Sequence, residues 1–497
     1  MKTLRFLFFL FAVFAGGFAN AQGYNNLWLM GYGNYAPLPF GGTNIDFFTG
    51  TANAYFEPNR TLEFGATVLN VADSLGDLLF YSNGIKIMNK ANVLMLNGDS
   101  LNPSYYTTMA VTHGFNLINN FISIKQPGND SLFYIFHETL DHQFPSSWSE
   151  KCYYSVINIK SDNGNGAVIQ KNTVFINDTL ATQMSACKHA NGRDWWIIIP
   201  EAYSPGYYIY LLTPIGLQFV TKQIIGTRWF VFGGQSTFSR DGSLYAMYDS
   251  RNDLEVFDFD RCSGLFSNAR QLAIYDSMNS TGVTISPNNR FIYGSSGLYL
   301  YQFDLQNLQN CQTFTWDSFR DPYNNFPTVF YTQELMPDNK IYINTGNSTV
   351  YLHVINYPDS LGSACQLSQH SFVLPTINFQ STPYYPNVFL GPVVGSICDS
   401  LSPLGQAEYS IQSAGLRLNP NPASNQVWVN YQFPNNRDGW LEIYDPVGQL
   451  ILKRRLYWST TQLLVYLNEI KSSGMYVAKV FDDTKTYIST ERLIIIK

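Results

Sequence analysis

Apolar and polar residues along this chain follow the short alternation of strands. Beyond the first twenty or so residues no long stretch has apolar positions at helical spacing. Between residues 74 and 343 one unit recurs six times: a polar turn, then a run of aromatic and β-branched residues. The copies occupy 74–81, 128–136, 191–199, 239–247, 286–293 and 336–343. From Gly242 to Asn289 to Asn339 the spacing is 47 and 50 residues. A second run follows each late copy, at 254–259, 298–303 and 350–355. Asp241-Gly242 and Asn288-Asn289 suit turns because glycine and asparagine tolerate positive φ. A period of roughly 40–50 residues with about four strands is that of a propeller blade. The pattern predicts an all-β fold whose main part, 22–397, is one β-propeller of about seven blades. The turns account for six blades. Flanking sequence completes a seventh, with the strand around Trp28-Leu29-Met30 pairing into the last blade. A sandwich array, or two unrelated β-domains, is the competing layout.

The C-terminal part holds four more runs, 427–431, 440–444, 462–466 and 475–480, separated by Pro, Gly, Asn and Asp. They predict a small immunoglobulin-like β-sandwich over 414–497. Asp445-Pro446-Val447-Gly448 is the turn a strand pair needs, and Pro420 and Pro422 around Asn421 fix an extended entry. The segment 398–413, rich in Ser, Gly, Pro and Gln, reads as a linker.

At the other end, Lys2 and Arg5 flank the start of an apolar run from Phe6 to Ala15, and Ala19-Asn20-Ala21 fits a small-x-small cleavage site. A secretory signal peptide over 1–21 is expected, with the Sec translocon as first partner. That run is shorter than the roughly 20 residues of a spanning helix, and no other stretch approaches this length. No transmembrane span is expected.

Composition narrows the function classes. Aromatics make up 16% of the 497 residues, charged residues only 13%, against roughly 25% in an average protein. Net charge is −6, or −8 without Lys2 and Arg5. From Ser413 onward there are ten basic and seven acidic residues, which leaves −11 on 22–412. An acidic main domain with no basic patch argues against nucleic acid and anionic lipid. Six cysteines allow 15 pairings, and export makes at least one disulfide the expectation. No C-x-x-C occurs, against a zinc ribbon or a thioredoxin-like site.

Candidate chemistry is sparse. His137 and His142 are five apart, so on a strand they face opposite sides and make a poor zinc pair. His189, Arg193 and Asp194 beside Trp195-Trp196 read first as a braced turn, second as a polar cluster at the propeller's mouth. Gly31-Tyr32-Gly33 lacks a following helix, and no G-x-S-x-G occurs. Asp258, Asp260 and Gly264 lack EF-hand spacing. No catalytic, metal or cofactor-binding residue is named and no cofactor is expected, although a looser calcium site in the acidic domain stays open.

Three motifs in the tail carry a resemblance: Leu418-Asn419-Pro420-Asn421-Pro422-Ala423, Ile443-Tyr444-Asp445-Pro446-Val447-Gly448, and Gly474-Met475-Tyr476-Val477-Ala478-Lys479-Val480. In this order and position they resemble the C-terminal sorting domain of type IX secretion. The resemblance implies passage through the periplasm to the cell surface or outside, with the type IX machinery as partner. It marks Pro420, Asn421, Pro422, Tyr444, Asp445, Gly448, Gly474, Tyr476 and Lys479 as sorting-motif residues. Pro446 departs from the family, which commonly has a non-proline residue there. Residues 83–90, 188–196 and 356–365 are similar to the WD40-like propeller regions of large surface proteins on this route, over about 28–392. That family contributes no catalytic residues here. Asp-Ser/Thr-aliphatic triplets, as at Asp73, Asp99, Asp130, Asp178, Asp276, Asp359 and Asp399, resemble the O-glycosylation sequon of bacteria using the route. Such residues also simply start turns, and both readings stay open.

The first functional expectation is a non-catalytic surface or secreted protein whose propeller binds a glycan or a protein partner. The alternative is an exported hydrolase with its site at the propeller mouth, where residues from several blades would leave no local motif. Carboxylates from different blades at one mouth would favour the enzyme. An aromatic groove without paired carboxylates would favour binding.

Overall fold

The computed structural model describes residues 23–35, 37–140, 148–227, 234–249, 251–274, 281–399, 416–431, 433, 437–445, 448–484 and 487–497, without the side chains of 487 and 488. The signal peptide, most of the expected linker, His142, Pro446 and the Asp276 triplet lie outside the described residues. The chain divides into two compact units, Met1–Leu401 and Ser402–Lys497.

The first unit is a seven-bladed β-propeller. Seven antiparallel sheets follow in chain order, the first two described with three strands and the other five with four. Each begins with a short, buried strand: Leu27–Gly31, Leu69–Ala72, Phe121–Lys125, Ser185–Lys188, Gly234–Phe238, Thr281–Ile285 and Gln333–Leu335. The aromatic and β-branched runs seen in the sequence supply the side chains that pack between sheets. Seven apolar clusters fill seven interfaces. Leu29 meets Tyr81, Phe80 meets Ile135 and Ile124 meets Ile197. Trp196 meets Tyr245, Val256 meets Ile292 and Tyr293 meets Ile343. Trp28 closes the circle against Tyr342, edge-on at 6.2 Å. Such edge contacts add to plain burial because the ring edge is positive and the face negative.

The six repeated turns all join the first and second strands of blades 2 to 7. In each, one N–H closes back on the carbonyl three residues before it, as Gly76 to Asp73, Gly242 to Ser239 and Asn289 to Ser286. A residue with positive φ sits there in every copy: Gly76, Gly192, Gly242, Asn289 and Asn339 carry the closing N–H themselves, while in blade 3 Gly128 stands just before Asn129, whose N–H closes on the Gln126 carbonyl. This is why only glycine and asparagine occur there.

One expectation is corrected. Leu27–Gly31 does not pair into the last blade; it pairs with Gly42–Asp46 in the first. The last blade has four strands of its own, from Gln333–Leu335 to Leu367–Asn378. The segment after its final strand closes the ring. Gly31 N donates to Ser381 Oγ at 3.1 Å, and the Tyr385 hydroxyl donates to the Leu27 carbonyl at 2.7 Å. Residues 381–385 therefore run back along Leu27–Gly31 in the reverse direction.

Cys262 and Cys398 form a disulfide, while Cys152, Cys187, Cys311 and Cys365 are free. The bond ties Cys398, the first residue of the expected linker, to blade 5.

The second unit is a β-sandwich. Arg417–Asn419, Gln426–Asn430 and Gln462–Tyr466 form one sheet. Leu450–Leu456, Gly439–Tyr444, Gly474–Asp482 and Tyr487–Ile495 form the other. Alternate residues point inward, so Val427, Val429 and Val465 share a core with Leu441, Ile443, Ala478 and Val480.

Candidate functional site

The repeated turns converge on one mouth of the propeller. Residues 381–399 cross it as a strap. Asn387 Nδ2 donates to the Arg240 carbonyl at 2.5 Å. The Gly391 carbonyl accepts from Arg261 Nη2 at 2.7 Å, and Val393 N donates to the Ala190 carbonyl at 2.8 Å. The Cys262–Cys398 disulfide ends the strap. On either side of Tyr384 and Tyr385 lies a cavity.

The larger cavity, about 480 Å³, opens between blades 2, 3 and 4. Its lining includes Tyr24, Asn70, Lys125, Lys188, Arg193 and Trp195. Lys188 Nζ stands 5.4 Å over the Trp195 ring, a cation–π contact, and has no hydrogen bond or ion pair among the described residues. Burial pulls its pKa below the usual lysine value, with Arg261 adding to the effect. Lys125 pairs with Asp130 at 3.4 Å.

The smaller cavity, about 350 Å³, opens between blades 4 to 7 and is lined by Phe238, Glu334, Met336, Tyr384 and Phe389. Aligned on their turns, blades 5, 6 and 7 place Thr237, Thr284 and Glu334 at one position, and all three line this space. A charge where the two preceding repeats carry threonine was the legible signal for Glu334, which belongs to no recognised motif. Tyr384 and Tyr385 were unreadable, because they follow the last repeat.

The candidates weighed from the sequence fall into structural places. His137 is fully buried, donating or accepting with Asn102 at 2.6 Å and Ser155 at 2.9 Å, and burial lowers its pKa to about 3. His189 Nδ1 accepts from Asn191 N at 3.0 Å, and Arg193 holds Asp194 at 2.7 and 2.9 Å, so this cluster braces the blade 4 turn. Asp260 caps its own turn through Cys262 N at 2.9 Å. Among the described residues no three His, Cys, Asp or Glu side chains gather as a cation site.

In the tail, Asn421 reaches the last strand, accepting from Ile494 N at 2.8 Å. Asp445 and Gly448 close the turn after Gly439–Tyr444, where Asp445 Oδ1 accepts from Gln449 N at 2.8 Å and Gly448 has φ of 88°. Lys479 Nζ lies 5.0 Å over the Tyr444 ring, and the Tyr444 hydroxyl donates to Glu442. Gly474 opens its strand and Tyr476 is buried, its hydroxyl 2.8 Å from Ser472 Oγ. Pro420 and Pro422 flank Asn421 just beyond Arg417–Asn419. The motifs therefore occupy the entry, a turn and one strand rather than a single patch.

Residues 417–497 match the family described as the Secretion system C-terminal sorting domain. No curated protein matches the chain. Similar solved structures include PorZ of Porphyromonas gingivalis, described as an essential bacterial surface component of the type-IX secretion system. It shares 10% identity over 92% of this chain and 68% of its own, with a TM-score of 0.29. A Lactobacillus plantarum protein shares 12% identity over 72% and 98%, TM-score 0.35. Sqt1 of Chaetomium thermophilum shares 10% over 73% and 82%, TM-score 0.33. Likenesses of this degree carry no activity across. The sorting domain does establish the route: the protein is exported by type IX secretion to the cell surface or the extracellular space. Among the described residues no helix is long and apolar enough to cross a membrane.

Proposed function

We propose that the propeller is a glycan-binding module displayed outside the cell, with the mouth around Tyr384 and Tyr385 as its ligand face. The observation that carries this reading is the chemistry of the larger cavity. A basic and aromatic lining, with Tyr24 and Tyr385 beside Lys188 and Arg193 and the buried Trp195 beneath Lys188, suits contact with a sugar ring and pairing with its acidic substituents. A volume of about 480 Å³ lies within the range of small-ligand sites. The acidic side chains on the linings are one to a cavity, Asp130 in the larger and Glu334 in the smaller. Glycoside hydrolysis ordinarily needs two carboxyl groups flanking one bond, so the arrangement favours binding over the exported hydrolase.

Sorting is the task of the tail, and we propose that Pro420, Asn421, Pro422, Tyr444, Asp445, Gly448, Gly474, Tyr476 and Lys479 serve it by holding the sandwich that the machinery reads. Two experiments test the whole reading. Calorimetry of the exported protein against neutral and acidic oligosaccharides should show binding that Lys188→Ala weakens about tenfold or more, as expected for a desolvated charge contact. Hydrolysis of those sugars would replace the module with an enzyme. Fractionation of cells making the chain without 413–497 should find it retained in the periplasm, and normal export would remove the sorting role.

A further inference from the structure

We propose that the smaller cavity is a binding site for an organic ammonium, with Glu334 as its anionic partner. The inference rests on reading the mouth as a ligand-binding face. Glu334 is 8% exposed, and no hydrogen bond or ion pair reaches its carboxyl among the described residues. A carboxyl buried without a partner is costly, and an aliphatic side chain would fill this strand position at no such cost. Glu334 lines a space of about 350 Å³, large enough for a small ligand. Phe238, Tyr384, Tyr385 and Phe389 line the same space. Aromatic faces attract an ammonium, and a carboxylate among them neutralises it. The fitting ligand is thus an ammonium carried on an apolar or sugar body. A hard metal ion fits poorly, since it takes about six or more oxygen ligands and no three ligating side chains gather among the described residues.

The other titratable groups around Glu334 leave it as the charged partner. Burial pushes Cys187 up to about 12 and raises Tyr384 and Tyr385, so all three stay neutral near pH 7. Arg240 lies on the exposed rim and donates to the Asn339 side chain. Burial also holds Glu334 well above the usual carboxylate range. An ammonium bound beside it favours the ionised carboxyl, so any proton that Glu334 gives up on binding leaves to solvent while the ligand keeps its own, and the pair ends neutral.

Titration calorimetry of the mature exported protein with n-butylammonium and with glucosamine, in two buffers of different ionisation enthalpy near neutral pH, reads affinity and proton release together. One saturable site that releases protons on binding is expected, weakened about tenfold or more in Glu334→Gln. Phe389→Ala, at a rim position 42% exposed, should weaken binding too and keeps the test open should Glu334→Gln fail to fold. Binding of both ligands shows that an ammonium suffices, and binding of glucosamine alone shows that the sugar body is needed; either result supports the site. Failure of both to bind, equal binding of glucose, or affinity unchanged in a folded variant overturns it. An oligosaccharide that binds the larger cavity while neither ammonium binds would sink this inference and leave the glycan-binding reading standing.

Discussion

The side-chain amide of Asn421 is clamped to the last strand at Ile494: Oδ1 accepts from the Ile494 N–H at 2.8 Å, while Nδ2 donates to the Arg492 carbonyl. One amide thus stands in for a strand partner, offering the acceptor and the donor that the open edge of that strand needs. Ala423 continues the contact through its own N–H to the Ile494 carbonyl.

Only an amide supplies both groups at this length. Asn421→Asp should lose the donor and Asn421→Ala both bonds, destabilising the tail by about 1 and about 2 kcal/mol. Denaturant unfolding of the full chain, following tail tryptophans such as Trp440, measures this. Export should fall in the same order, and a fully exported Asn421→Ala variant would separate the clamp from sorting.

Joining Cys262 to Cys398 closes a loop of sequence separation 136. In the chain-entropy limit that is worth about 5 kcal/mol. Cys262→Ser with Cys398→Ser should lower the midpoint of propeller unfolding and admit protease to the strap around Gly391. Native thiol labelling should mark Cys311, which is exposed, and spare the buried Cys152, Cys187 and Cys365.

Burial pushes the Asp249 carboxyl up to about 7 from 3.8, against the hydrogen bond it accepts from Arg251 N at 2.8 Å. Its other oxygen has no partner among the described residues. The folded protein therefore keeps a proton that the unfolded chain has released. Its stability should fall as pH rises from about 4 to about 7 and level off above. Asp249→Asn removes this loss, so the variant should melt higher than the parent at about pH 8, with little difference at about pH 4. Identical pH profiles of Tm would contradict the assignment.

A side chain at Gly242 would meet two obstacles. Its φ is 75°, and a Cβ there would lie 2.7 Å from Cys187 Sγ. Gly242→Ala should cost about 1–3 kcal/mol. Asn289, at the equivalent turn with φ of 61°, already carries a Cβ, so Asn289→Gly should change stability by less than about 1 kcal/mol. Thermal melts of the two variants compare them directly.

The turns at Gly242, Asn289 and Asn339 and the strands after them made the propeller legible, because a positive φ and an alternating apolar run are local demands that residue type alone meets. The tail motifs were legible for the same reason: Asp445 and Gly448 close a turn within a few residues. Glu334 stood where the two preceding repeats carry threonine, yet nothing local marked it as lining a cavity rather than meeting solvent. The first blade was misread because Leu27–Gly31 and residues 381–385 come from opposite ends of the unit, so their meeting depends on ring closure rather than on neighbouring sequence. The mouth itself, with Lys188, Glu334 and Tyr384 brought together from three segments, was decided only by tertiary structure. Burial, which removes water from a charge and fixes what it faces, is a property of the packed whole and has no counterpart in the order of residues.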